Sequence, residues 1–344
     1  MEENRLLDVK DLKVSFFTPS GEVKAVGGVS YHVDREEVIA IVGESGCGKS
    51  VTQMSVMQMI PDPPGKILGG EVWFEGKNLL KYKSKSKDMR SVRGAQISMI
   101  FQEPMTALNP VFTVGNQLSE VIRTHMKVSK KEAWKIGIQS LEAVGIPDPE
   151  ERMKNYPFEM SGGMRQRVLI AIAVACRSKL IIADEPTTAL DVTTQAQVME
   201  LLLNVVKQYK TSLIVVTHNL GLVSRYAKRI YVMYAGRVVE CGTTEDLLTR
   251  PKHPYTMGLL QAVPRLDDDK EQDLIPIHGA PPNLAKLPDG CYFMPRCPYA
   301  CDKCKNSSYP EFKEVGERGH FAACHLDIKA VSYTHLRAHE TLRH

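Results

Sequence analysis

Gly43-Glu-Ser-Gly-Cys-Gly-Lys-Ser50 places three glycines ahead of a lysine and a hydroxyl. A run of that kind grips phosphate. Glycines let successive backbone N–H groups turn inward around an anion, and a helix starting at the lysine adds its positive end. Lys49 is placed to reach the β- and γ-phosphates of a nucleotide, and Ser50 to ligate Mg²⁺. The nucleotide-binding set is therefore Gly43, Glu44, Ser45, Gly46, Cys47, Gly48, Lys49, Ser50 and Val51. A chance glycine-rich turn would lack the context seen here, an apolar strand at Val38–Val42 and a helical stretch over Lys49–Ile60.

A second run, Leu180-Ile-Ile-Ala-Asp184-Glu185, ends a buried strand in two carboxylates. They fall at the carboxyl edge of a sheet, where ligands of open α/β folds bind. Asp184 suits a Mg²⁺ ligand, and Glu185 a general base that polarises an attacking water. The pair could instead cap a helix with Thr187; the phosphate loop weakens that alternative. A third run, Ser161-Gly162-Gly163-Met164-Arg165-Gln166-Arg167, stands directly before the apolar stretch Val168–Ala175. A serine and two glycines opening a helix make a second anion site, built from a hydroxyl, exposed N–H groups and the helix dipole.

Alternating strands and helices must position these groups. Strands are predicted at Leu6–Phe17, Val38–Val42, Ile97–Phe101, Leu180–Ala183 and Leu213–Thr217, the last two as central strands covered on both faces. Ser129-Lys-Lys-Glu132 reads as a capping box opening a helix through Val144, stopped by Gly145 and Pro147. Tyr231–Glu240, with Ala235-Gly236 at its middle, reads as a hairpin. Residues 1–250 are assigned to one nucleotide-binding domain with a helical part at about 103–177, and 251–330 to a proline-rich extension carrying the charge run Asp267–Lys270. Residues 331–344 resemble translated cloning sequence and are set aside as non-native.

Forty-four Lys+Arg against 40 Asp+Glu leave +4, too mild to argue for nucleic acid. No apolar run approaches the roughly 18–20 residues that cross a bilayer, and Met1–Lys10 lacks the apolar segment of a secretory signal. The expectation is a cytosolic chain whose membrane role, if any, comes from partners. Of eight cysteines, Cys47, Cys176 and Cys241 are scattered and read as buried thiols, whereas Cys291, Cys297, Cys301, Cys304 and Cys324 fall within 34 residues. In a reducing compartment such a cluster suggests metal.

The three runs, in this order and spacing, resemble the ABC ATPase family. So do Gln102 in Met-Ile-Phe-Gln-Glu-Pro, Ala189-Leu-Asp191, and His218 after Leu213–Thr217. The resemblance implies an α/β fold with a RecA-like core plus antiparallel β and helical subdomains. It implies that two subunits sandwich two ATPs, with Ser161, Gly162, Gly163 and Gln166 of one facing the phosphate loop of the other. Phe16, or its neighbour Phe17, would stack on adenine. Glu185, His218, Gln102 and Lys49 would be catalytic, and Ser50, Gln102 and Asp184 would hold Mg²⁺. Met160, where Leu is common before the signature, keeps apolar character. Arg35-Glu36-Glu37 stands where the resemblance implies a glycine-containing turn.

Wider strings are similar to dipeptide and oligopeptide importers: Phe101-Gln-Glu-Pro-Met-Thr-Ala-Leu-Asn-Pro, His253-Pro-Tyr-Thr and Gly290-Cys-Tyr-Phe-Met-Pro-Arg-Cys-Pro. That resemblance implies an ATPase at the cytoplasmic face of the membrane, working with a second, related ATPase subunit, two transmembrane permeases and an extracytoplasmic peptide-binding protein. It maps Cys291, Cys297, Cys304 and Cys324 onto a small Cys-rich extension holding a [4Fe–4S] cluster, with Zn²⁺ as the alternative. Unliganded thiols are disfavoured here because so small a segment has little core of its own. The cargo could instead be nickel or another solute. A soluble ABC protein acting on ribosomes or DNA commonly carries two cassettes or a long coiled coil, and this chain shows one cassette and no sustained heptads. A non-catalytic regulatory subunit would be expected to lack Glu185 or His218.

Overall fold

Every residue of β7 (Leu180–Asp184) and β8 (Ser212–Thr217) is buried, as unbroken apolar runs require of strands covered on both faces. The computed structural model describes residues 4–102, 107–187, 192–262, 276–316 and 319–326. The charge run Asp267–Lys270, the segment Ala189–Asp191 and residues 331–344 lie outside the described residues.

β3 (Val38–Val42) runs parallel between β8 and β9 (Arg229–Tyr234), and β6 (Ile97–Ile100) closes that edge against β7. Beyond β9 the sheet turns antiparallel through β10 (Arg237–Thr243), β12 (Phe321–Ala322) and β11 (Lys313–Glu314), giving the order β11-β12-β10-β9-β3-β8-β7-β6. The predicted hairpin is β9–β10. Its turn residues Ala235 and Gly236 both take positive φ, 47° and 77°, the hand that matches the twist of paired strands.

A second, antiparallel sheet is ordered β2-β1-β4-β5, with β1 at Arg5–Thr18, β2 at Gly21–Asp34, β4 at Gly65–Phe74 and β5 at Lys77–Asn78. Alternation along β3 divides two cores. Ile39 and Ile41 face the cluster shared with the antiparallel sheet; Ala40 and Val42 face the cluster shared with the helices. Those helices, Val114–Met126, Lys130–Ala143, Pro149–Arg152 and Gly162–Ala175, fill the chain between β6 and β7. Thr113 and Ser129 cap the first two by accepting hydrogen bonds from Asn116 and Glu132 N–H groups.

The turn without glycine is compensated. Glu36 sits at φ 58°, while the Glu37 carboxylate accepts from Asp34 N–H and Arg229 Nη2, both at 2.8 Å. Two charge-assisted bonds thus hold the turn beside its strained residue.

The segment after residue 250 is stitched to the same core. β12 pairs with β10, and Phe293, 2% exposed, joins the cluster beneath the helices. Glu240, fully buried, accepts from the Lys252 and His253 N–H groups at 2.6 and 2.9 Å and lies 2.8 Å from His320 Nε2. With little core of its own, the segment thus shares that of the rest of the chain.

His253 caps the helix Pro254–Gln261 by accepting from Tyr255 N–H at Nδ1, and burial lowers its pKa to about 3. The folded chain keeps this ring neutral where the unfolded chain, titrating near 6.5, protonates it. Stability falls as pH drops below that value, by about 2 kcal/mol between pH 7 and pH 5. His253→Asn keeps the acceptor without the titration, so its thermal midpoint should fall less over that interval than the parent's. Equal losses would contradict the assignment.

Candidate functional site

The phosphate loop links β3 to the helix Lys49–Val56, and its glycines are required by contact. Gly48 has φ 99°, and a Cβ there would lie 2.3 Å from the Ala25 carbonyl oxygen. At Gly43 the same atom would lie 2.2 Å from the Met233 carbonyl oxygen. Backbone from β2 and β9 thus presses on the loop, and the loop answers with a hydrogen bond from Gly236 N–H to the Cys47 carbonyl at 2.9 Å. Ser45 and Gly46 are exposed at the rim. Cys47 is a buried thiol whose pKa is raised by burial, so it contributes backbone and packing to the loop. Val51 packs toward the antiparallel sheet.

Lys49 is 4% exposed, and its ammonium donates to the carbonyls of Gly43 at 2.7 Å and Glu44 at 3.0 Å. It lies 3.9 Å from Glu185 Oε1. Around that carboxylate the remaining predicted groups converge: Gln102 Nε2 donates to Oε2 at 3.0 Å, and His218 Nδ1 stands 3.4 Å from Oε1. Glu185 holds φ 45°, an uncommon backbone for a side chain of its size, anchored by its N–H on the Val216 carbonyl at 2.9 Å. Three strand ends, β6, β7 and β8, thereby bring an amide, two carboxylates and an imidazole to the mouth of one loop.

Ser50 Oγ donates to Asp184 Oδ1 at 2.9 Å. Burial pushes the Asp184 carboxyl above the usual carboxylate range; the Ser50 hydroxyl opposes this, and the neighbouring Glu185 adds to it. Two buried carboxylates beside a hydroxyl form a set short of positive charge, which a divalent cation with oxygen ligands fits. Gln102 keeps its amide nitrogen on Glu185, beside this set.

The other predicted groups separate. Ser161 caps the helix Gly162–Ala175 by accepting from Met164 N–H at 3.3 Å, and Ser161 and Gly162 are exposed. Gln166 is instead 1% exposed, its Nε2 without a hydrogen bond among the described residues, and is not presented with them. Phe16 packs toward the antiparallel core, where its ring would touch a Cβ placed at Gly65; Phe17 is 51% exposed. Of the two rings, Phe17 is the one offered to solvent.

The cysteines Cys291, Cys297, Cys304 and Cys324 gather closely enough to act on one another electrostatically. Burial raises all four thiols, Cys297 to about 12 and Cys324 to about 11. Cys301 Sγ lies 3.6 Å from Cys304 Sγ. Among the described residues, however, no three His, Cys, Asp or Glu side chains are arranged to hold a metal ion. As placed, the thiols are neighbours and not a ligand shell.

Two features went unpredicted. One is a set of exposed apolar side chains near Gln102 and in the helical region: Phe101, Val111, Phe112, Tyr156 and Phe158. Tyr156 and Phe158 stack at 5.4 Å, and Val114 N–H bonds the Asn155 carbonyl, joining the two segments. The strings Val111-Phe112 and Tyr156-Pro-Phe158 were the available signal. The other is Arg296, whose guanidinium reaches the phosphate loop from the cysteine segment; only three-dimensional pairing could reveal it. Among the described residues no helix is long and apolar enough to cross a membrane.

Residues 26–188 match the ABC transporter family, and residues 239–304 match the oligopeptide/dipeptide transporter C-terminal region. The chain is 52% identical over 309 residues to the oligopeptide transport ATP-binding protein OppD of Bacillus subtilis (strain 168), covering 90% of this chain and 86% of that protein. It is 49% identical to the dipeptide transport ATP-binding protein DppD of Haemophilus influenzae, covering 94% and 96%. In fold it resembles the dimeric ATP-binding cassette MJ0796 in a post-hydrolysis state bound to ADP and Pi, at TM-score 0.62 and 24% identity, covering 70% of this chain and 99% of that one.

Gly48→Ala tests the geometry of the loop directly. The new methyl group meets the Ala25 carbonyl in a backbone that L side chains rarely adopt. The variant should lose roughly 2–3 kcal/mol of stability in denaturant titration. Gly46→Ala provides the comparison, because it shares positive φ but has open space around it. Equal losses in the two variants would contradict the close-approach argument.

Proposed function

The chain belongs to the ABC transporter ATP-binding family, and on that premise we propose that it hydrolyses ATP to power dipeptide or oligopeptide import through a membrane permease. The observation that carries the chemistry is the convergence of Lys49, Gln102 and His218 on Glu185 at the mouth of the phosphate loop. Loop N–H groups and Lys49 bind and orient the phosphates. Mg²⁺, held by Ser50, Asp184 and the Gln102 carbonyl oxygen, would neutralise phosphate charge when bound. Glu185 takes the proton of the attacking water, and Gln102 and His218 fix the carboxylate while it does so. Phe17 is the better-exposed ring to stack on adenine.

Ser161 and Gly162 open their helix toward solvent, with Gly163 half-buried behind them. An exposed helix start suits the phosphates of a nucleotide carried by another subunit. We therefore assign the chain a second ATPase subunit, of related but different sequence, as partner. Two transmembrane permeases and an extracytoplasmic peptide-binding protein complete the assembly, with this chain peripheral at the cytoplasmic face. Support for permease docking comes from the exposed apolar side chains Val111, Phe112, Tyr156 and Phe158, which lie in the segments following the Gln102 loop. Domain closure upon ATP binding would then be transmitted through that surface.

Glu185→Gln should retain ATP binding while turnover falls about 10²–10⁴-fold. Unimpaired steady-state hydrolysis would remove Glu185 from the role of base.

For the cysteine segment we propose a four-thiolate site on Cys291, Cys297, Cys304 and Cys324, holding [4Fe–4S] or, as the alternative, Zn²⁺. Its support is the gathering of one buried and three half-buried thiols, which bound metal would convert to thiolates. Metal and acid-labile sulfide analysis of anaerobically purified protein decides the matter. Four iron and four sulfide per chain establish the cluster, one zinc the alternative, and neither leaves the thiols unliganded.

A further inference from the structure

Glu44 is the acidic residue of the phosphate loop, and each of its polar groups is occupied. Its N–H donates to the Tyr255 hydroxyl at 2.8 Å, and its carbonyl accepts from Lys49 at 3.0 Å. Its carboxylate takes a two-pronged ion pair from Arg296, with Nη1 at 2.6 Å from Oε2 and Nη2 at 2.9 Å from Oε1. Its carbonyl also accepts from Cys47 N–H at 3.4 Å, whereas Tyr255 and Arg296, which hold the N–H and the carboxylate, both lie in the segment after residue 250.

The Arg296 guanidinium is built into its position. Its side chain is 4% exposed; Nε donates to the His278 carbonyl at 3.0 Å, and Nη1 reaches the Tyr234 hydroxyl at 3.4 Å. Below it Tyr234, Tyr255 and Phe293 pack with ring centroids 4.7–5.4 Å apart. Phe293 and Arg296 stand between Cys291 and Cys297, so the cysteine segment supplies both the apolar wedge and the charge. A planar bidentate pair of this kind fixes orientation as well as charge.

We infer that Arg296 is a positioning residue for ATP: it neutralises the Glu44 carboxylate at the phosphate loop, so that nucleotide affinity is set from the cysteine-rich segment. Glu44 without its partner would set a negative charge beside the polyphosphate in a partly buried site, where Coulomb interactions are only partly screened. With Arg296 in place, the loop presents N–H groups and Lys49 without that opposing charge. The inference rests on the proposed role of Gly43–Ser50 as the phosphate site.

The test is a pair of substitutions whose effects have opposite sign. Arg296→Ala should weaken Mg-ATP binding about tenfold, raising KM with kcat little changed. Glu44→Gln in the intact chain removes the repelling charge and leaves the guanidinium, so binding should tighten. Glu44→Gln combined with Arg296→Ala should restore most of the lost affinity. A merely structural tie would instead weaken binding in both single variants, with no restoration in the double variant, and that pattern overturns the inference. So does an Arg296→Ala chain that binds Mg-ATP like the parent. If Arg296→Ala does not fold, Glu44→Gln alone decides, unchanged or weaker binding being the contrary result. Lys49→Ala is the control for the underlying site: if it too leaves binding intact, the phosphate loop assignment fails, independently of Arg296.

Discussion

The Glu185 carboxylate is the group around which the structure is organised. It is 7% exposed, beside a second buried carboxylate, Asp184. Two such charges at adjacent positions need cations and donors fixed around them. Lys49 comes from the helix after β3, Gln102 from the end of β6 and His218 from the end of β8. All three can arrive only because the parallel strands end at one edge, in register. Ile182 pairs with Ile214, and Ala183 with Val215, up to that edge. The cores on both faces of the sheet exclude water from the strands and hold the edge still. Catalysis and folding therefore draw on the same arrangement.

In the proposed function that arrangement supplies one wall of a nucleotide enclosure. The phosphate loop, the carboxylates and His218 form one wall, whereas Ser161 and Gly162 open outward from the helical region. In the proposed assembly a second subunit brings the missing wall, so ATP becomes the material that joins them. The exposed apolar residues at Val111–Phe112 and Tyr156–Phe158 lie in the same helical region as Ser161. A movement that closes the nucleotide would thus displace the surface proposed for permease docking.

Much of the site was legible because it depends on short strings. Val38–Val42 forms the strand ahead of the loop, Ser129 caps its helix, and Ala235-Gly236 makes the hairpin turn. Lys49, Glu185, Gln102 and His218 lie together, with Asp184 next to Glu185 in the chain. Long-range facts were hidden. β2 and β4 carry glycines and lysines, and only pairing on either side of β1 stabilises them as strands. Phe16 and Phe17 are the same residue type one step apart, and pleating decides which is exposed. Gln166 stands near the exposed start of its helix, but rotation about the helix axis buries it. Nothing near Arg296 in sequence announces a partner 252 positions away.

The assembly is tested most directly by gentle detergent purification of this chain from its native cells, with the bound proteins identified by mass spectrometry. Two polytopic permeases and a second, related ATPase subunit are the expected companions. Ribosomal or DNA-repair proteins in their place, with no permease, would leave the ATPase chemistry standing and contradict the role in transport.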